Sequence, residues 1–148
     1  LGVEEGKVFP RPIIEFYLKN DKLNDPIVSE EHILVLEWAT HSELEEIISM
    51  SQRINDFLTG YFYSQKIRLV DFKLEFGRFW LGQEVSIMLA DEISPDNCRL
   101  WDVQTNKKLD KDRFRQDLGE VDIAYKEVAY RLGVLSEKEF KKVLKNDF

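Results

Sequence analysis

Apolar residues along this chain recur in two rhythms. Ile14, Phe16 and Leu18 alternate with Glu15, Tyr17 and Lys19, the period of a half-buried strand, and Pro10 and Pro12 discourage helix ahead of them. A strand is predicted within Val8–Pro26, running into the polar loop Lys19-Asn20-Asp21-Lys22-Leu23-Asn24-Asp25-Pro26. The rhythm then changes. Leu44, Ile47, Ile48, Ser51, Ile54, Leu58, Tyr61 and Phe62 recur at spacings of three and four behind a Thr40–Glu43 capping box, which predicts one long helix over roughly 41 to 64.

Residues 66–92 return to strand signals. Lys66–Phe76 and Val85–Ile93 are rich in β-branched, aromatic and aliphatic residues, and Gly77 and Gly82 bracket a turn, so the economical reading is one hairpin. A Ser94-Pro95-Asp96-Asn97 turn follows. Phe114, Leu118, Val121, Tyr125, Val128, Ala129 and Leu132 then space as one face of a helix that Gly133 ends. Ser136 and Glu139 form a second capping box, opening a last helix through Phe140, Val143 and Leu144. The fold class predicted is α+β: a small antiparallel sheet with a central hairpin, packed by two or three helices.

Composition narrows the function. The chain has 148 residues, the size of one domain, and 28 Asp and Glu against 21 Lys and Arg leave a net charge of −7. That balance repels phosphate backbones, so nucleic-acid coats and basic membrane-surface modules are disfavoured, and an anionic ligand needs a local basic cluster. With Cys98, His32 and His41 as the only Cys and His residues, neither a disulfide framework nor a Cys/His zinc site completed by one chain is available. The sequence has no span-length apolar run and no signal peptide, so the compartment expected is the reducing cytoplasm. The chain opens on Leu1 without an initiator Met, which suggests a piece of something longer.

The hairpin carries the candidate chemistry. Along Leu69–Gly77 the period of two puts Val70, Phe72, Leu74 and Phe76 on a core face and Asp71, Lys73 and Glu75 on the other, alternate positions lying about 7 Å apart. The partner strand is apolar through Ala90 and ends in Asp91-Glu92, so folding the hairpin brings Asp91 back toward the Asp71–Glu75 row. Carboxylates converging from adjacent strands suit a magnesium–nucleotide site; a solvated strand face laced with ion pairs is the plainer alternative. Arg99 follows the Ser-Pro-Asp turn and suits bidentate phosphate binding, against stacking on Trp101 or pairing with Asp102. The mixed run Lys107–Arg115 reads as a solvated helix start, His41 as an exposed residue, and Cys98 as a small buried residue rather than a nucleophile.

With those residues in view, the sequence resembles the SAICAR synthetase family, the phosphoribosylaminoimidazole-succinocarboxamide synthases of purine biosynthesis. Leu69-Val70-Asp71-Phe72-Lys73-Leu74-Glu75-Phe76-Gly77 is similar to the family's signature strand. Asp91–Asp96 through Arg99-Leu100-Trp101-Asp102 resembles its second signature, and Leu109–Arg115 its third. The opening Leu1–Gly6 and the segment Leu18–Asp21 with Asp25-Pro26 are similar too.

The resemblance implies an ATP-dependent ligase that joins L-aspartate to 5-amino-1-(5-phosphoribosyl)imidazole-4-carboxylate through an acyl phosphate, with ATP and Mg2+ as cofactors. Carried over by motif, Glu75 and Asp91 hold magnesium on the nucleotide phosphates, and Lys73 neutralises charge near the reacting carboxylate. Asp71 hydrogen-bonds Lys73, Arg99 grips the ribotide 5′-phosphate, Asp96 meets the sugar region, and Lys19, Asp21 and Asp25 belong to a substrate loop. The partners implied are small molecules, not nucleic acid or membrane, and a homo-oligomer is left open.

The family's glycine-rich phosphate loop and its Arg-Asn…Gly-Ser stretch do not occur in this sequence. The resemblance therefore makes residues 1–148 a C-terminal substrate- and metal-binding lobe of an ATP-grasp or kinase-like architecture, with the N-terminal ATP-binding lobe absent from the chain. Two rivals stand beside it: a non-catalytic α+β interaction module, and a kinase-like phosphotransferase, against which no His-Arg-Asp loop or Asp-Phe-Gly occurs.

Overall fold

A computed structural model describes residues 2–116 and 121–146, the side chains of 145 and 146 excepted. Its strands are β1 (Phe16–Tyr17), β2 (Ile27–Val28), β3 (Ile67–Phe72), β4 (Glu75–Leu81), β5 (Glu84–Ala90) and β6 (Cys98–Asp102). The helices are α1 (Glu30–Val35), α2 (His41–Ser64), α3 (Asp112–Arg115), α4 (Val121–Arg131) and α5 (Glu137–Asn146). This is an α+β chain, with more and shorter elements than the sequence pattern predicts. Its contacts divide it into two units, Leu1–Asn55 with Phe76–Met88, and Asp56–Glu75 with Leu89–Phe148.

In the first unit the predicted strand shrinks to β1, although Ile14, Phe16 and Leu18 keep their half-buried alternation with exposed neighbours. β1 pairs antiparallel with β2, an unpredicted strand, around a loop in which Asn24 and Asp25 take left-handed backbone. α1 was not legible either. Its Ser29 cap is completed by an unusual partner, His32, whose Nδ1 accepts the Ser29 N–H at 3.2 Å, in the place Glu or Gln fills in the common capping box. α2 begins at the predicted Thr40 cap: the Thr40 N–H donates to Glu43 at 2.7 Å and the Glu43 N–H to Thr40 Oγ1 at 3.2 Å. Arg78, on β4, adds a two-pronged bridge to the same Glu43 carboxylate at 2.6 and 2.9 Å. Leu44 and Ile33 are this unit's buried aliphatic side chains.

The second unit is organised by an antiparallel β3–β6 ladder, a pairing that the alternation along the chain does not predict. Ile67, Cys98, Leu100 and Trp101 from the ladder are buried, as are Leu58 and Phe62 on α2, Leu109, and Ala124 and Val128 on α4. Each fully buried aliphatic side chain contributes about 1.5–3 kcal/mol. The α4 stripe follows the predicted spacing from Val121, and Leu118 lies outside the described residues. Gly133, with φ of 75°, follows the helix end as predicted, and α5 starts at the predicted box, the Ser136 N–H donating to Glu139 at 2.9 Å. Tyr130 of α4 and Phe140 of α5 stack at 4.9 Å.

The single hairpin expected over 66–93 is corrected. Its first run is two strands, broken at Lys73-Leu74: β3 pairs with β6, and β4 pairs with β5 through the tight turn at Gly82, whose φ is 66°. A register shift between Leu69 and Asp71 disturbs the alternation as well, so Val70, expected in the core, is 39 % exposed. The ladders are separate two-stranded sheets, β1–β2, β3–β6 and β4–β5. No helix among the described residues is long and apolar enough to cross a membrane.

Candidate active site

β3 delivers Asp71 at its end, directly opposite Arg99 in the β3–β6 register. The pair closes across the ladder, Arg99 Nη1 to Asp71 Oδ2 at 2.6 Å, while Arg99 Nε reaches Asp112 Oδ2 at 2.7 Å. Arg99 is thus held by two carboxylates, and hydrogen bonds to Asp112 and then Asp71 keep its guanidinium charged more firmly than an ordinary arginine. Asp112 also takes Arg115 Nη1 at 2.9 Å. Burial works against its charge, and the two arginines outweigh that and hold its carboxyl below the usual range.

Two expectations change here. Asp71 pairs with Arg99 across the ladder and not with Lys73, whose ammonium is engaged by Glu75. Arg99 neither stacks on Trp101 nor pairs with Asp102: Lys108 lies over the Trp101 ring, and Asp102 is bound by Arg131 at 2.8 Å.

Lys73 sits between β3 and β4, its N–H donating to the Asn97 carbonyl at 2.8 Å and its Nζ 2.8 Å from Glu75 Oε1. Glu75 opens β4. Since β4 and β5 are of equal length and joined by Gly82-Gln83, the chain returns Ala90, and then Asp91, to the end of the hairpin where Glu75 stands. Asp91 leaves β5 with φ of 70°, a left-handed conformation that Asp tolerates better than most residues, and its Oδ1 accepts the Glu92 N–H at 2.9 Å. Glu75 and Asp91 thus stand at the same end of the β4–β5 hairpin, while Asp71 stands on a different sheet.

Among the described residues no group of three or more His, Cys, Asp or Glu side chains is arranged to hold a metal ion. Glu75 and Asp91 are two carboxylates at one end of the β4–β5 hairpin, and magnesium takes one or two carboxylates with water and phosphate oxygens in its remaining positions.

The Ser94–Asn97 turn is tied down by its own atoms. Ser94 N–H donates to Asn97 Oδ1 at 2.9 Å, Asp96 N–H to Ser94 Oγ at 3.2 Å, and Lys111 N–H to the Pro95 carbonyl at 3.1 Å. It presents the Asp96 carboxylate, whose Oδ1 accepts Tyr125 Oη at 2.8 Å and lies 3.6 Å from Lys111 Nζ. In the first unit Asp25 Oδ1 accepts the Asn20 N–H at 2.7 Å, bracing its own loop, and Lys19 is exposed on that loop.

The run Lys107–Arg115 is not a solvated helix start. Leu109, Asp110, Asp112 and Arg113 are buried. Asp110 Oδ2 accepts the Leu100 N–H at 2.6 Å and Oδ1 the Asp112 N–H at 2.8 Å; burial nonetheless pushes its carboxyl up. Within the run, the spacing of three between Asp112 and Arg115 on a helix is the local signal of one ion pair. Cys98 is buried as expected, and burial pushes its thiol up to about 11.

A sequence model of the SAICAR synthetase family matches residues 1–132. The chain belongs to the SAICAR synthetase family. It is 61 % identical over 137 residues to a phosphoribosylaminoimidazole-succinocarboxamide synthase of Gluconacetobacter diazotrophicus, covering 93 % of this chain and 54 % of that relative. A crystal structure of the synthase from Ehrlichia chaffeensis superposes with a TM-score of 0.82 at 54 % identity, over 87 % of this chain and 54 % of that one. A SAICAR synthetase solved in complex with ADP superposes with a TM-score of 0.85 at 43 % identity, over 92 % and 57 %. The chain therefore spans about half the length of the SAICAR synthetases it matches.

Proposed function

We propose that this chain is the C-terminal, substrate- and metal-binding part of an ATP-dependent SAICAR synthetase, acting in the cytoplasm on small molecules, with the glycine-rich phosphate-binding lobe supplied by the rest of the enzyme. The observation that carries the reading is the Lys73–Glu75 contact of 2.8 Å at the hairpin end to which Asp91 returns. A cation held against a carboxylate, with a second carboxylate at hand, suits a site where phosphate and carboxylate charge meet. Family membership and the relative solved with ADP support the nucleotide assignment.

In this reading a carboxylate oxygen of the ribotide attacks the γ-phosphorus of ATP and ADP leaves. The aspartate amine then attacks the acyl carbon, phosphate departs, and the nitrogen loses a proton to give the amide. Glu75 and Asp91 would hold magnesium, which would supply positive charge to offset the negative charge of phosphoryl transfer. Lys73 screens the repulsion between the ribotide carboxylate and the incoming phosphoryl group. Arg99 takes the 5′-phosphate: exposed Asp71 is the partner a phosphate displaces, while buried Asp112 keeps Nε in place. Lys19 and Asp25 shape a loop assigned to substrate.

The test is the full-length enzyme containing this chain, given ATP, L-aspartate and the carboxy-ribotide. ADP and succinocarboxamide product formed in equal amounts are expected; no product under saturating substrates overturns the reading and favours an interaction module.

A further inference from the structure

The β4–β5 hairpin carries apolar side chains that burial does not hold in place. Phe79, Trp80, Leu81, Val85, Met88 and Leu89 are all exposed, and the sheet has only two strands. A ribbon of two strands is marginal by itself, so its direction depends on what ties it down. The best-defined tie is Arg78. Its Nε donates to Glu43 Oε1 at 2.6 Å, and its Nη2 donates to Glu43 Oε2 at 2.9 Å and to the Trp38 carbonyl at 3.0 Å. The anchor is itself fixed, because Glu43 Oε2 already accepts the Thr40 N–H and hydroxyl in the α2 capping box. A guanidinium fork on a preset carboxylate, with a third acceptor beside it, defines direction as well as distance. Residues 75 and 78 are three positions apart on one strand, so Arg78 grips the ribbon from one face while Glu75 projects from the other.

We infer that Arg78 is a positioning residue, whose fork on Glu43 and the Trp38 carbonyl sets the direction in which the hairpin presents Glu75 and Asp91. Helix capping accounts for Glu43, and strand pairing accounts for β4. Neither requires the bridge between them.

The inference rests on the magnesium reading for the purpose of the two acids. Its test is Arg78→Gln and Arg78→Lys in the full-length enzyme, with two readouts that need no turnover. Amide hydrogen exchange across residues 75–90 reads the hairpin with no ligand bound, and ADP binding titrated against magnesium reads the site. Arg78→Gln should speed exchange across the hairpin about three- to tenfold and raise the magnesium concentration for half-maximal ADP binding by a similar factor. Ribotide affinity, assigned to Arg99 on another sheet, should stay within twofold. Arg78→Lys keeps the charge and loses the fork, so it should recover less than half of either change. Unchanged exchange in Arg78→Gln overturns the inference, and so does full recovery by lysine. A loss shared equally by magnesium-dependent and ribotide binding is general destabilisation and overturns it too. If Glu75→Gln weakens magnesium-dependent binding and Arg78→Gln does not, the inference fails while the magnesium reading stands. If neither does, the magnesium reading is refuted and the exchange rates alone decide the role of Arg78.

Discussion

Arg99 and Asp71 stand opposite one another in the β3–β6 ladder and close an ion pair of 2.6 Å at its solvent face, while the other edge of Arg99 is fixed by Asp112. The two carboxylates differ in burial, Asp71 at 55 % side-chain exposure and Asp112 at 8 %, and so in what they contribute. Asp112→Asn should destabilise the fold by about 2 kcal/mol, because it removes the buried negative charge that two arginines meet and turns one of their two acceptors into an NH2 donor. Asp71→Asn should cost less than about 1 kcal/mol, as an exposed pair does. Denaturant unfolding of both variants checks the ordering; equal losses contradict it.

The magnesium assignment makes its own demand. In the full-length enzyme Glu75→Gln and Asp91→Asn should each lower kcat by about two orders of magnitude or more, since metal stabilisation of transferred charge is worth several kcal/mol. Both should raise the magnesium concentration needed for half-maximal rate, with unfolding unchanged. Asparagine is the variant of choice at residue 91 because it tolerates the φ of 70° found there. Wild-type turnover in either variant removes that residue from the metal site.

Acid should weaken the α2 cap. The hydrogen bond from Arg78, then that from the Thr40 N–H, holds the Glu43 carboxyl down to about 2 against an ordinary 4.5. A depressed folded value means that the stabilisation is complete above 4.5 and is lost as the pH falls from there toward 2. Glu43→Gln should therefore flatten the decline in stability across that window. A decline as steep as wild type's would show that other carboxylates govern it.

Cys98 should resist modification. With its thiol buried and pushed up to about 11, a thiol reagent at pH 8 should label it only as fast as the ladder opens. Stoichiometric labelling within seconds in native buffer would mean that the β6 end is open.

Periodicity identified α2 and α5 because each is introduced by a local capping box, a signal complete within four residues. The stripe of α4 was legible for the same reason, since i, i+3 and i+4 neighbours lie in one short window. The ladders were not. Alternation through Leu69–Gly77 looks continuous, and nothing local in Lys73-Leu74 announces a break; what imposes it is the pairing of Phe72 with Cys98, a contact between distant segments. The same holds at the candidate site. That Glu75 and Asp91 share one end of a hairpin is a local relationship that spacing conveys, whereas the Arg99–Asp112 and Tyr125–Asp96 contacts depend on tertiary packing that spacing does not encode. The burial of charges in Lys107–Arg115 is not legible locally because charge alone suggests solvent, while Asp110 is buried by serving backbone N–H groups.

The pairing of β3 with β6 also sets an order of events during folding. The Lys73 N–H bond to the Asn97 carbonyl closes the neck of a long excursion that contains the whole β4–β5 hairpin, and Glu75 and Asp91 stand just inside that neck. The hairpin can zip early, since its contacts are local, but closing the neck requires the chain to bring distant segments together at an entropic cost. Substitutions that hinder closure should leave a nascent chain whose hairpin is formed while the β3–β6 ladder is still open and Arg99 has not yet met Asp71.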